Sequence, residues 1–171
     1  MQPSKFIFLI GLICLGHLNL KAQAENTSGD QKLIFEKIIY HSGQCNGICP
    51  EIDLEIDSNN NVLLKKSIWK EKGLIDNHKS GNFKGKIDPK TYFNLMANLI
   101  ASDYSNLKFR PVFCCDGVIT TIIIYANGKR VALSSMTPPE KALRLISFLH
   151  DLATQLNIPP TTEEIKMEEL L

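Results

Sequence analysis

Glu51-Ile52-Asp53-Leu54-Glu55-Ile56-Asp57 alternates acidic and aliphatic side chains without a break. Successive side chains of a strand point to opposite faces, so this stretch predicts a strand with Ile52, Leu54 and Ile56 in a core and the acids toward water. Such half-buried alternation belongs to antiparallel sheets. Ser58-Asn59-Asn60-Asn61 is a turn, and Val62 to Trp69 is expected to return as the partner strand. Lys65, Lys66 and Lys70 are expected to lie across from the acids and offset their charge, on a solvated sheet face.

Working outward, Leu33 to Tyr40 is rich in Ile, Phe and Tyr and reads as a strand. His41 to Pro50 is a loop by composition. Residues 70–82 are polar and read as a variable loop, and Asn82 to Ile87 as a short strand. Asp88-Pro89 opens a helix, with Asp as N-cap and Pro at the first helical position. Its stripe of Tyr92, Leu95, Met96 and Leu99 is core, and the helix is expected to stop near Ala101 to Asp103. Leu107 to Cys115 is expected to be extended, interrupted at Pro111. Val118 to Ala126 is a β-branched strand whose Ile122-Ile123-Ile124 run is apolar on both faces, so it predicts a central strand covered on each side. Asn127-Gly128 is a type I′ hairpin signal, with Lys129 to Ser135 returning. Thr137-Pro138-Pro139-Glu140 reads as a capping box, opening a helix with Ala142, Ile146, Leu149, Leu152, Ala153 and Leu156 on one stripe. Asn157 and Pro159-Pro160 end it. The order strands, helix, strands, helix predicts an α+β fold: a mainly antiparallel β-sheet with two amphipathic helices packed on it.

The chain has 171 residues, so a single domain is the expectation, and 44% hydrophobic against 22% charged residues is a globular balance. Lys5, the uncharged apolar run Phe6 to Gly16 and the small residues of Ala22-Gln23-Ala24 predict a signal peptide over 1–24. The run is short for a membrane span, and Ile13 stands before Cys14 where a lipoprotein wants a small residue. Residues 25–32 are a flexible lead-in, 33–157 the folded domain, and 158–171 an acidic C-terminal tail, a short amphipathic helix or a frayed end. The expected location is periplasmic or secreted. Removing Lys5 and Lys21 leaves 17 basic against 18 acidic residues, which excludes a basic nucleic-acid surface. With Cys14 gone, Cys45, Cys49, Cys114 and Cys115 remain, an even number where disulfides are permitted.

Cys45-Asn46-Gly47-Ile48-Cys49-Pro50 carries the candidate chemistry. One reading is a structural disulfide closing a tight loop, with Gly47 giving flexibility and Pro50 fixing the exit into the strand. A second is dithiol redox catalysis, which uses C-x-x-C at a helix N-terminus. A third is copper: C-x-x-x-C-P resembles the motif of Sco-type copper chaperones, although their motif leads into a helix and pairs with a distant histidine. None of His41, His78 and His150 has supporting context. A fourth is a four-thiolate zinc site with Cys114 and Cys115, but adjacent cysteines in an extended segment point to opposite faces. The pairing of Cys114 and Cys115 stays open among these. No nucleophile elbow, zinc-protease motif or phosphate loop is present, so no catalytic, metal or cofactor residues are assigned.

The pattern of strand, C-x-G-x-C-P (Cys45, Gly47, Cys49, Pro50), alternating strand, turn and strand resembles a family of exported bacterial domains known only as a domain of unknown function. Gly81 to Ile87, Asp88 to Phe93, and Asp116 ahead of the Thr/Ile-rich strand match as well, and the resemblance spans most of residues 33–156. Glu51 stands where the family often has Tyr, and Cys115 where Thr is common. The resemblance implies a location and a shape but no reaction. The resulting expectation is a non-enzymatic binding or interaction module with a structural disulfide and a protein or cell-envelope partner. The alternative is a thiol-redox or copper-handling protein using Cys45 and Cys49.

Overall fold

The computed structural model describes residues 33–43, 45–112 and 116–168. The alternating stretch is a strand over the predicted residues, β2 (Glu51–Asp57), with Ile52, Leu54 and Ile56 buried. It lies between β1 (Phe35–Ser42) and β3 (Asn61–Ser67), antiparallel to both. The turn into β3 is organised by Asp57, whose carboxylate accepts from the Asn59 and Asn61 amides and the Asn61 side chain. Asn60 takes a positive φ there, a conformation asparagine tolerates.

Residues 70–82 are not simply a loop. They include a two-stranded ribbon of β4 (Trp69–Glu71) and β5 (Leu74–Ile75). Lys70 pairs with Asp76 inside this excursion, 3.9 Å away, rather than with the acids of β2. The ribbon also reaches the cysteine loop, where the Lys72 ammonium donates to the Asn46 side-chain oxygen at 3.0 Å. β6 (Gly81–Lys86) follows. Asp88 caps α1 (Pro89–Ala101), its carboxylate accepting from the Lys90 and Thr91 amides. From Leu107 to Val112 there is no strand; the carbonyls of Arg110 and Val112 accept from the Ser135 hydroxyl and the Met136 amide at one strand end. The rest of the expected extended segment, with Cys114 and Cys115, lies outside the described residues.

β7 (Thr120–Ala126) and β8 (Lys129–Ser135) form the expected hairpin, with Asn127 and Gly128 both at positive φ. α2 (Glu140–Gln155) ends the regular structure. Thr137 does not cap it. Pro139 occupies the N-cap position with no side-chain bond, and the Thr137 amide donates to Ser135 instead. Pro139 has no side-chain acceptor to offer the first helical amides, so the helix starts without a box.

All six main strands form one antiparallel sheet in the order β6-β3-β2-β1-β7-β8. This is the predicted α+β fold. One face carries Ile38, Tyr40, Ile52, Leu54, Ile56, Val62, Leu64, Ile122 and Ile124 against Leu95 and Leu99 of α1 and Leu145, Leu149 and Ala153 of α2. Lys66 is on this face, opposite Ile52, and is buried rather than solvated. Its ammonium donates to the carbonyls of Ala153 and Thr154 at 3.0 and 3.3 Å and lies 5.2 Å from the Phe83 ring centre. Burial lowers its pKa. The last carbonyls of a helix lack partners within it and favour a cation, so Lys66 ties the end of α2 to the sheet.

The opposite face is polar at β2 but not at the centre, where Ile39 and Ile123 face each other fully buried. The acidic tail crosses here instead of forming a helix or a free end. Residues 159–161 bond along β6, through Lys84 N–H to Pro159 O and Thr161 N–H to Asn82 O. Glu164 to Met167 then lie over His41, Asp53 and Lys65. Glu168 reaches β7 and β8, accepting from Tyr125 at 2.6 Å and Arg130 at 2.7 Å, while its carbonyl meets His41 Nε2 at 2.8 Å. Lys65 sits 3.7 Å from Asp53 and is exposed, as charge alternation predicts, with the strap beside it.

The Tyr125 hydroxyl first, and the Arg130 guanidinium second, hold the Glu168 carboxyl below its ordinary value of 4.5. A group with a depressed folded pKa contributes fully above the unfolded value, and the contribution is lost as pH falls through the folded one. Tail docking is therefore expected to loosen on acidification below pH 4.5. NMR shifts of the Tyr125 ring check this: they are expected to titrate in that window and to lose the titration in Glu168→Gln.

Candidate functional site

The C-x-G-x-C-P motif leaves β1 at Gly43 and delivers the chain into β2. The ladder holds the first end, with the Gly43 amide donating to Ile119 O at 3.0 Å. The Cys45 and Cys49 sulfurs stand at disulfide distance, with Cα atoms 5.6 Å apart. Gly47 is not among the glycines at positive φ, and a Cβ there would lie 3.4 Å from Cys45 Sγ, an ordinary contact. The loop thus closes without the special backbone freedom that the sequence suggested. Ile48, at its tip, is 58% exposed. A strand follows Pro50, so this motif has no helix N-terminus behind it of the kind that lowers a thiol pKa in dithiol oxidoreductases.

Cys49 and Pro50 form one wall of a groove of about 490 Å³. Ser42 and Thr120, neighbours across the β1–β7 ladder, form its floor with Tyr40. Ile146, Ser147, His150 and Asp151 of α2 form the other wall, and Val118 an end. Tyr40 is 2% exposed, and its hydroxyl lies 3.3 Å from His150 Nδ1. Burial raises the phenol's pKa, partly opposed by a hydrogen bond from Ser42, and the nearby Asp151 charge adds to the rise. Tyr40 therefore stays a neutral hydroxyl, able to orient a ligand but not to act as a base near neutral pH. The groove combines aliphatic walls with several hydroxyls and one carboxylate, a set suited to recognition.

The motif residues Cys49 and Pro50 thus belong to the groove, while Asp116 lies in an exposed turn outside its lining. Cys114 and Cys115 lie outside the described residues. Among the described residues no three His, Cys, Asp or Glu side chains gather as a metal site. The groove's other half was missed from sequence because Ser147, His150 and Asp151 of α2 are far in the chain from Tyr40 and the cysteine loop. The one signal was His150, a polar residue beside the apolar stripe of α2.

A family model described as a domain of unknown function, DUF6438, matches residues 36–153. The match covers the six-stranded sheet and α1 and runs to within two residues of the end of α2, and the chain belongs to this family. No curated protein matches the chain.

A ring closed over so few residues constrains the unfolded chain by on the order of 2 kcal/mol. Phosphine reduction of the Cys45–Cys49 pair, or Cys49→Ser, is expected to lower stability by about that amount. Urea unfolding of oxidised and reduced protein, compared at fixed pH, measures it.

Proposed function

We propose that the protein is an exported, non-enzymatic binding module in which a Cys45–Cys49 disulfide fixes one wall of a partner-binding groove. The observation that carries this reading is the position of the clasp. The cysteine loop stands directly beside the Tyr40–His150 groove, contributing Cys49 and Pro50 to it. A disulfide there stiffens a recognition surface, which lowers the ordering cost of binding. The signal-peptide pattern of residues 1–24 supports export, and export supports an oxidised pair. The partner is a protein or another component of the cell envelope. The thiol-redox and copper readings lose support from the strand after Pro50, since both draw on motifs that lead into a helix.

Cell fractionation with intact-mass analysis of the unreduced protein tests the location and the clasp together. The expected product is outside the cytoplasm, starts at Glu25, and has Cys45 and Cys49 oxidised. A cytoplasmic chain with both thiols free overturns the proposal. For the groove, in-cell cross-linking is compared between the native chain and Ser147→Trp, which places a ring over the exposed wall of α2. The variant is expected to lose the native chain's cross-linked partners while keeping its circular dichroism. An unchanged set of partners rejects the groove as the site.

A further inference from the structure

The two edges of the sheet are treated differently. In an antiparallel ladder, residues alternate between pointing their N–H and C=O groups at one neighbour and at the other. The two-residue Asn127-Gly128 turn makes Ala126 and Lys129 a hydrogen-bonded pair. Counting from it, Lys129, Val131, Leu133 and Ser135 bond to β7, and Arg130, Ala132 and Ser134 point their backbone groups away from the sheet. The same alternation holds elsewhere. It places Gly43 toward β7, where its amide donates to Ile119, and turns Asn82 and Lys84 of β6 outward, where the tail bonds them.

Among the described residues, β6 is therefore a covered edge, and β8 is not. Among the described residues, Val112 O takes the Met136 amide just past the end of β8, and no backbone bond is made to Arg130, Ala132 or Ser134 from outside the ladder. β8 carries no proline and, in its register with β7, no bulge. Proteins ordinarily blunt such an edge, because unpaired strand groups template the addition of another strand.

The geometry points to a second copy of this chain as the added strand, β8 against β8 antiparallel about a two-fold axis at Ala132. In that register Ala132 faces its own copy, Arg130 faces Ser134 and Val131 faces Leu133, so every outward amide and carbonyl of the three residues is used on both copies. Neither cation meets its like, since Lys129 faces Ser135. Centring one residue earlier brings the two Arg130 side chains onto adjacent diagonal positions, where like charges repel. Centring one residue later calls on Met136, whose amide Val112 already holds. The small Ala132 at the axis lets the backbones approach. The product is an isologous dimer with one continuous sheet.

Sedimentation of the chain purified from the producing cell, combined with amide exchange over a concentration series, tests this. The expected result is a monomer–dimer equilibrium, with the Arg130, Ala132 and Ser134 amides slowing as concentration rises. Ala132→Pro removes an outward N–H that the β7 ladder does not use. It is expected to weaken association by about tenfold or more while the circular dichroism is kept. A monomer up to about millimolar concentration overturns the proposal. So does association that Ala132→Pro leaves unchanged. If that variant does not fold, the exchange series decides alone, and concentration-independent exchange at the three amides overturns it.

Discussion

A strand that is apolar on both faces must be covered on both, and this requirement shapes much of the molecule. β1 and β7 are the central pair at which it is most severe. Ile38, Tyr40, Ile122 and Ile124 point to one side and Ile39 and Ile123 to the other. The helices cover the first side. The C-terminal strap crosses the second. Glu168 anchors the strap through three residues around that buried pair: His41, Tyr125 and Arg130. Burying two isoleucines stabilises the fold by roughly 1.5–3 kcal/mol for each, which exceeds what an exposed ion pair such as Arg130–Glu168 contributes. The strap's hydrogen bonds to His41, Tyr125 and Arg130 fix where it lies.

Polar groups under the strap follow the same logic. His41 places Nδ1 2.8 Å from Asp53 and Nε2 2.8 Å from the Glu168 carbonyl, both oxygen acceptors. Each ring nitrogen thus has an oxygen neighbour, which sets the ring between β2 and the strap. The acids of β2 are thus engaged on the polar face as well as hydrated there: Asp53 by His41 and Lys65, Glu55 by Lys37. On the helix face Lys66 has a comparable structural role, joining two helix-end carbonyls to the sheet from within the core.

How much of this was legible in the sequence depended on range. Period-two alternation fixed β2, the Asn-Gly turn fixed the β7–β8 hairpin, and Asp88-Pro89 fixed the start of α1, because each is a local signal acting over a few residues. The continuous apolar run at Ile122 to Ile124 correctly announced a strand covered twice, but not what covered it. Lys66 was misread because alternation from β2 gives its face only after the register is known, and lysine biases the guess toward water. The course of the tail was not legible for a related reason. Its acids and scattered aliphatics have no period, and their partners on β1, β7 and β8 are distant in sequence. The groove was half legible: the cysteine loop stood out, while its α2 wall took shape only when α2 packed beside β1.

Pro159-Pro160 shows how one sequence signal can have two causes. Read locally, it is a helix stop, and α2 does end just before it. In the fold it also borders β6. Pro159 offers a carbonyl to Lys84, and Thr161 offers an amide to Asn82, so the tail pairs inward with the edge strand. A proline has no N–H, so Pro159 and Pro160 offer no donor to a strand approaching from outside. The helix breaker is therefore also a sheet terminator. Gly85 beneath it fits the same purpose, because a Cβ there would lie 2.9 Å from the Ile158 side chain. Its absence lets the tail approach β6 closely enough to pair. The same chemistry that stops α2 protects the β6 edge, and among the described residues no tail segment pairs along β8 in that way.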